Sequence, residues 1–158
     1  MADHSVILIV DDSDNDILMV RRALQKGRIL NPLIAVRSGE EAVQYLAGEG
    51  NYRNREEYPL PELVLLDLKM TGLDGFDVLK WIREQPALKG LRVVVLTSSD
   101  RVYDVNQAYA LGANSFLVKP SGFENFSELI QSMSGYWLWT SKAPELNRPP
   151  KQMPSGKR

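Results

Sequence analysis

Ser5-Val-Ile-Leu-Ile-Val-Asp-Asp-Ser-Asp-Asn-Asp16 runs from an unbroken apolar stretch straight into four aspartates, and its reading decides the fold. Val6–Val10 has no polar interruption, as a strand covered on both faces requires. Asp14 to Lys26 follows with Ile17, Val20 and Leu24 at helical spacing, and Gly27 stands just past the end as a stop. The same alternation continues outward. Asn31-Pro32 marks a bend and Leu33–Val36 a second strand, and Ser38-Gly-Glu-Glu41 is a capping-box pattern opening a helix to about Ala47. Gly48 to Glu62 is polar, holds two glycines and two prolines, and reads as a loop. Leu63–Leu66 is the third strand, Thr71-Gly-Leu-Asp-Gly75 a turn, and a helix carrying Phe76, Val78, Leu79 and Ile82 stops before Pro86. The fourth strand is Arg92–Leu96, a helix spans about Arg101 to Leu111, the fifth strand is Ser115–Val118, and a last helix runs from Phe123 to about Trp139. This (βα)5 alternation predicts an α/β fold with parallel strands, right-handed crossovers and helices on both faces.

Composition narrows the function classes. A chain of 158 residues with 44% hydrophobic and 25% charged residues suits one globular domain. The net charge of −1 gives no general attraction to nucleic acid or membranes. Without cysteine there are no disulfides, no thiol chemistry and no Cys-based zinc sites. Met1-Ala-Asp-His-Ser lacks a cationic start, and no apolar stretch nears the ~18 residues of a membrane helix. The expectation is a soluble, cytoplasmic protein without membrane contact. His4, the only histidine, is read as having no chemical role.

Four of the strands end in reactive residues: Asp11-Asp12, Asp67, Thr97 and Lys119-Pro120. In a parallel sheet the carboxyl ends of the strands line one edge, where such folds bind ligands. Three carboxylates, a hydroxyl and an ammonium therefore converge, a set suited to moving a phosphoryl group onto an aspartate with a divalent metal. Each position alone has a plainer reading. Asp11-Asp12 could be helix-start acids, although Asp14 could already fill that place; Asp67 could be a turn residue, Thr97 an ordinary strand threonine, and Lys119 a surface charge. Their weight lies in the joint placement. Crowded carboxylates repel and call for a cation, and Mg2+, a hard ion, suits oxygen donors of this kind.

From about Val6 to Trp139 these residues resemble the receiver domain of two-component response regulators. The resemblance rests on Val10-Asp11-Asp12, Leu65-Leu66-Asp67, Gly72-Leu73-Asp74-Gly75, Leu96-Thr97-Ser98 and Val118-Lys119-Pro120. It implies a flavodoxin-like, doubly wound sheet of order 2-1-3-4-5, with residues 1–139 forming the receiver and 140–158 a flexible, basic, proline-containing tail. The Asp11-Asp12-Ser13-x-x-Asp16 start, the long segment before the third strand and the Tyr136-Trp137-Leu138 ending are similar to the stand-alone regulators that partner bacterial phytochrome histidine kinases.

The resemblance also implies roles. Asp67 is the phosphoacceptor, becoming a 4-aspartylphosphate at the expense of a kinase phosphohistidine. Asp11, Asp12, Asp67 and the backbone carbonyl of Lys69 hold Mg2+. Lys119 pairs with a phosphoryl oxygen and Thr97 donates its hydroxyl to another, while Phe116 is the aromatic switch that fills the space Thr97 vacates. The Lys119–Pro120 bond is cis in the family. Such a chain catalyses only its own phosphorylation and slow autodephosphorylation, and its output is protein–protein contact. Lys69 and Ser99 depart from common choices two residues after the acceptor and after Thr97, positions that govern water access to the aspartyl-phosphate.

Three other readings are open to test. A flavin or nucleotide enzyme on the same fold needs a Ser/Thr/Gly phosphate cradle after the first strand, where this chain carries acids. A degenerate receiver serving only as a scaffold has no reason to carry the full acid, Thr and Lys set. A phosphohydrolase of the haloacid dehalogenase type wants an acid where Lys69 stands. The tail has no hydrophobic pattern for a DNA-binding domain. The apolar residues Phe123, Phe126, Leu129, Ile130, Met133, Tyr136 and Trp137 form one face of the last helix, and Leu138 and Trp139 extend it, which predicts a homodimer through that helix.

Overall fold

The computed structural model describes residues 5–140, with the backbone alone at Trp139 and Thr140. Five strands, β1 (Ile7–Val10), β2 (Leu33–Val36), β3 (Leu63–Leu66), β4 (Arg92–Thr97) and β5 (Ser115–Val118), alternate with α1 (Asp14–Lys26), α2 (Gly39–Ala47), α3 (Gly75–Glu84), α4 (Val102–Ala110) and α5 (Phe123–Gly135). All strand pairs are parallel and the order is β2-β1-β3-β4-β5, the flavodoxin-like arrangement. β1, β3 and β4 lie in the middle and are buried at every position, which is why β1, β3 and residues 93–96 of β4 are unbroken apolar runs, with Arg92 and Thr97 as the polar ends of β4. Alternate residues feed two cores. Leu8, Val10, Val64 and Leu66 face α2 and α3, whereas Ile7, Ile9, Leu63 and Leu65 face Val20 of α1 and Ile130 of α5.

Register positions the chemistry. Val10 pairs with Leu66 and Leu66 with Val95, so Asp11 and Asp67 stand one step beyond the same row. Thr97 pairs with Val118, the residue before Lys119.

Several local expectations are corrected. The N-cap of α1 is Ser13, whose hydroxyl accepts from the Asp16 N–H; Asp14 instead meets Arg37 Nε at 2.6 Å. The α2 capping box is half formed: Ser38 accepts from Glu41 N–H, but the Glu41 carboxylate reaches the N–H of Arg37 rather than that of Ser38. The full box belongs to α3, between Asp74 and Asp77. The segment read as a plain loop between α2 and β3 is organised: Tyr45, Tyr52 and Tyr58 pack ring to ring at 5.0 to 6.1 Å, and Arg55 donates to the carbonyls of Tyr45, Leu46 and Tyr58.

The last helix is not one α-helix to Trp139. It ends as α at Gly135 and widens into a π-helix over Tyr136–Thr140. The widened turn lays Trp137 and Leu138 on the α1–α5 core, and Arg92 stacks on the Trp137 ring at 5.2 Å while donating to its carbonyl. Leu138 thus joins the core instead of extending a surface stripe. Tyr136 is 53% exposed, and the Trp139 side chain lies outside the described residues. His4 lies outside them too, as does the tail from 141 onward. Lys119–Pro120, expected cis, is trans like every other described peptide bond, the geometry that X–Pro bonds favour intrinsically. No helix among the described residues is long and apolar enough to cross a membrane.

Candidate functional site

The ladder hydrogen bonds that finish β1 and β3 hold the two central acids in place. Asp11 N–H donates to Val36 and Asp67 N–H to Val10, so both side chains leave the sheet from fixed backbone. Behind Asp67 the chain needs glycine: Gly75 opens α3 against the Asp67–Leu68 backbone, and a Cβ there would run into the Asp67 carbonyl oxygen. Asp11 is 1% exposed, its Oδ1 accepting from Ser13 N–H at 2.9 Å and its Oδ2 from Lys119 Nζ at 2.8 Å. Asp12 is exposed at the mouth. One carboxylate oxygen from each of Asp11, Asp12 and Asp67 lies within 4.8 Å of the others, close enough to grip one cation.

Lys119 closes the cluster from β5. Its backbone N–H donates to Thr97, and its ammonium reaches Asp11, Asp67 (3.2 Å) and Asp16 (2.8 Å). Burial by itself lowers a lysine pKa, but the hydrogen bonds to Asp11 and Asp16 and the Asp67 charge outweigh it and hold Lys119 above its ordinary value. Asp11 is pushed up, chiefly by burial and against the pull of Lys119. Three carboxyl groups face one ammonium and Asp12 adds a fourth at the mouth, so the site has anionic capacity to spare. Hard oxygen donors in this number fit a hard divalent ion, and the donor set passes that test.

Thr97 is fully buried, and its Oγ1 accepts from Ser99 N–H at 3.4 Å. Phe116 packs on the α2–α3 core, and its backbone N–H donates to the Tyr109 hydroxyl oxygen at 3.1 Å. Lys69 donates its N–H to Asp67 Oδ1 at 3.4 Å but sends its ammonium to Asp104 Oδ2, also at 3.4 Å. An open cavity of about 350 Å3 beside the cluster is lined by Asp12, Leu68, Lys69, Met70, Thr71 and Asp74. Of the sequence-predicted residues, Asp11, Asp12, Asp67 and Lys119 come together in one cluster; Lys69 lines the cavity beside it, Thr97 accepts the Lys119 backbone N–H, and Phe116 lies inside β5 beside Val95. Two residues were missed as parts of the site. Asp16 was visible only as one element of a motif, and Asp104 resembled any acid in the first turn of a helix.

Comparison with known proteins gives a consistent picture. The family described as response regulator receiver domain matches residues 7–131. The chain is 37% identical over 148 residues to response regulator Rcp1 of Synechocystis sp., covering 91% of this chain and 99% of that protein. Among solved structures, the phosphorylated cyanobacterial phytochrome response regulator RcpA superposes with a TM-score of 0.84 at 33% identity, over 90% of this chain and 100% of that one. The Mn2+-bound form of Rcp1 superposes at 0.81 and 37% identity, over 89% and 99% of the two chains.

Proposed function

The chain belongs to the response regulator receiver domain family, and from that premise we propose that it is a signalling switch phosphorylated on Asp67 by a partner histidine kinase. The observation that carries this reading is the position of Asp67, with Lys119 Nζ 3.2 Å from one oxygen and the Asp11 and Asp12 carboxylates completing a cation site around it. In the transfer, an Asp67 oxygen forms the new O–P bond as the P–N bond of a kinase phosphohistidine breaks. The imidazole leaves with the electron pair and is protonated. Mg2+, held by Asp11, Asp12, Asp67 and the backbone carbonyl of Lys69, would supply positive charge against the phosphoryl oxygens. Lys119 supplies the same from the protein side, through a fixed ammonium that needs no reorganisation during the reaction. Thr97 then turns its hydroxyl to a phosphoryl oxygen, and Phe116 moves into the vacated space.

The protein turns over no separate substrate beyond its own phosphorylation and slow dephosphorylation. It acts in the cytoplasm through protein contacts. Its kinase partner is a phytochrome-type histidine kinase, in keeping with the phytochrome regulator it matches in structure. A second copy is the partner for the exposed apolar side chains of α4, β5 and the helix end, among them Tyr103, Tyr109, Val118 and Tyr136. The flavin or nucleotide reading gains nothing, since Asp11 and Asp12 stand where a phosphate cradle needs neutral donors.

Beryllofluoride, an acyl-phosphate mimic, tests the assignment: with Mg2+ it binds the wild type and fails to bind Asp67→Asn, while Asp12→Ala weakens Mg2+ binding strongly. Equal binding by wild type and Asp67→Asn overturns it. Sedimentation of wild type and a Tyr103→Ser/Val118→Lys variant tests the dimer, which a wild-type monomer with and without beryllofluoride rules out.

A further inference from the structure

The Asp104 side chain is only 4% exposed, in the first turn of α4. Burying a carboxylate is costly unless it is paired, and both partners of Asp104 belong to the phosphoryl-site rim. Its Oδ2 accepts from Ser99 Oγ at 2.6 Å and faces Lys69 Nζ at 3.4 Å. The Ser99 hydrogen bond is the main reason the Asp104 pKa lies below its ordinary value, with Lys69 assisting. Lys69 stands two residues after Asp67 and Ser99 two after Thr97. Ser99 is tied further into the same loop, donating its N–H to Thr97 Oγ1 and accepting from Arg101 N–H, both at 3.4 Å. One buried carboxylate thus anchors the loops after β3 and β4 together onto α4.

That anchorage opposes what phosphorylation asks for. When Thr97 turns toward a phosphoryl oxygen, the Ser99 N–H loses its acceptor and the Ser99 hydroxyl is drawn off Asp104. New negative charge on Asp67 also competes with Asp104 for the Lys69 ammonium. We propose that Asp104 is a positioning residue for phosphoryl transfer, which holds Ser99 and Lys69 in the unphosphorylated arrangement and so couples occupancy of Asp67 to release of the N-terminal turn of α4. The proposal rests on Asp67 being the acceptor.

Beryllofluoride affinity in saturating Mg2+ tests it on the full chain. Asp104→Asn removes the charge that holds Lys69 but keeps the volume, and Ser99→Ala removes the hydroxyl but keeps the backbone N–H. Each is expected to bind beryllofluoride roughly fivefold or more tightly than wild type, a coupling of ordinary allosteric size. The double variant should gain less than the product of the two. A merely structural Asp104 lowers the melting temperature and leaves affinity unchanged or weaker. If Asp104→Asn does not fold, Ser99→Ala decides alone. Affinities within about twofold of wild type, or weaker, in the folded variants overturn the proposal. A wild type that binds no beryllofluoride overturns the acceptor assignment and this proposal with it.

Discussion

Arg83 and Lys119 are both drawn into the protein at opposite ends of one sheet, and the oxygens around them differ in kind. At the amino end, the Arg83 guanidinium donates to the carbonyls of Gly112 (2.7 Å), Leu91 (2.6 Å) and Lys89 (2.9 Å) and to Asn114 Oδ1 (3.0 Å). Those acceptors are neutral and belong to the turns entering β4 and β5. The planar fork matches them and its donors are satisfied, although burial without an acid partner pulls the Arg83 pKa below its ordinary value. At the carboxyl end, one lysine ammonium faces the carboxylates of Asp11, Asp16 and Asp67. A point charge cannot balance three anions, and Asp12 adds a fourth at the mouth. The first arrangement is complete as it stands; the second is complete only when a cation and a phosphoryl group arrive.

Substitutions at the two cations should therefore separate sharply. Lys119→Met is expected to slow phosphorylation by acetyl phosphate by about two to three orders of magnitude, the scale of losing one fixed electrostatic contact to a developing charge. Its melting temperature in millimolar Mg2+ should stay close to wild type, because the ion substitutes for the missing charge. Arg83→Met should do the opposite. Urea unfolding should show a loss of about 2–4 kcal/mol from carbonyls stripped of a charged donor, with no rescue by Mg2+ and a near-normal phosphorylation rate below the transition. Matching phenotypes for the two variants would show that the two cations play the same part.

Gly75 links the two regimes, since it supports the acceptor through backbone alone. Gly75→Ala is expected to cost about 1–3 kcal/mol, the range for overpacking a tight site, and to slow phosphorylation by displacing Asp67. Unfolding and labelling measured on the same preparation would show both effects or refute the link.

The smallest effect is expected from pH. Tyr45 and Tyr52 are pushed up to about 12, in each case first by burial, and Tyr52 also by its hydrogen bond to Glu41. A folded-state pKa above the unfolded one contributes stability that is complete below tyrosine's ordinary value of 10.0 and is lost as pH rises through about 12. Tyr52→Phe should flatten part of that alkaline decline while changing stability at pH 7 by about 1.5 kcal/mol, the low end for a hydrogen bond to a charged group. Urea unfolding at pH 7 and pH 11 would sharpen the picture of a stability reserve remote from the acid cluster, and an unchanged alkaline slope would remove Tyr52 from it.

The division between the two ends also explains what was legible in the sequence. β1, β3 and β4 could be read because strands buried on both faces must be apolar without interruption. Asp11, Asp67 and Thr97 could be read because each directly follows or closes such a run, with Asp12 next to Asp11, and Lys119 because it follows the edge strand β5. What escaped were polar contacts between residues distant in the chain. Ser13 and Asp14 are equally good caps by type, and the choice fell to Ser13 as Arg37, 23 residues away, took Asp14. Arg83 looks like any basic residue near a helix end, and Asp104 like any acid near a helix start; both have partners supplied by other loops. The π-turn at Tyr136–Thr140 goes with Trp137 seating on Arg92, a contact across 45 positions that no local periodicity encodes.

Everything proposed for the acid cluster depends on Asp67 receiving the phosphoryl group beside Lys119. Incubation with radiolabelled acetyl phosphate and Mg2+ tests it directly, followed by removal of excess donor and treatment with alkali. Wild type should carry an alkali-labile label that chelation before incubation prevents, and Asp67→Asn, folded by circular dichroism, should carry none. Label retained by Asp67→Asn, or found in the wild type on a residue other than Asp67, would contradict the account.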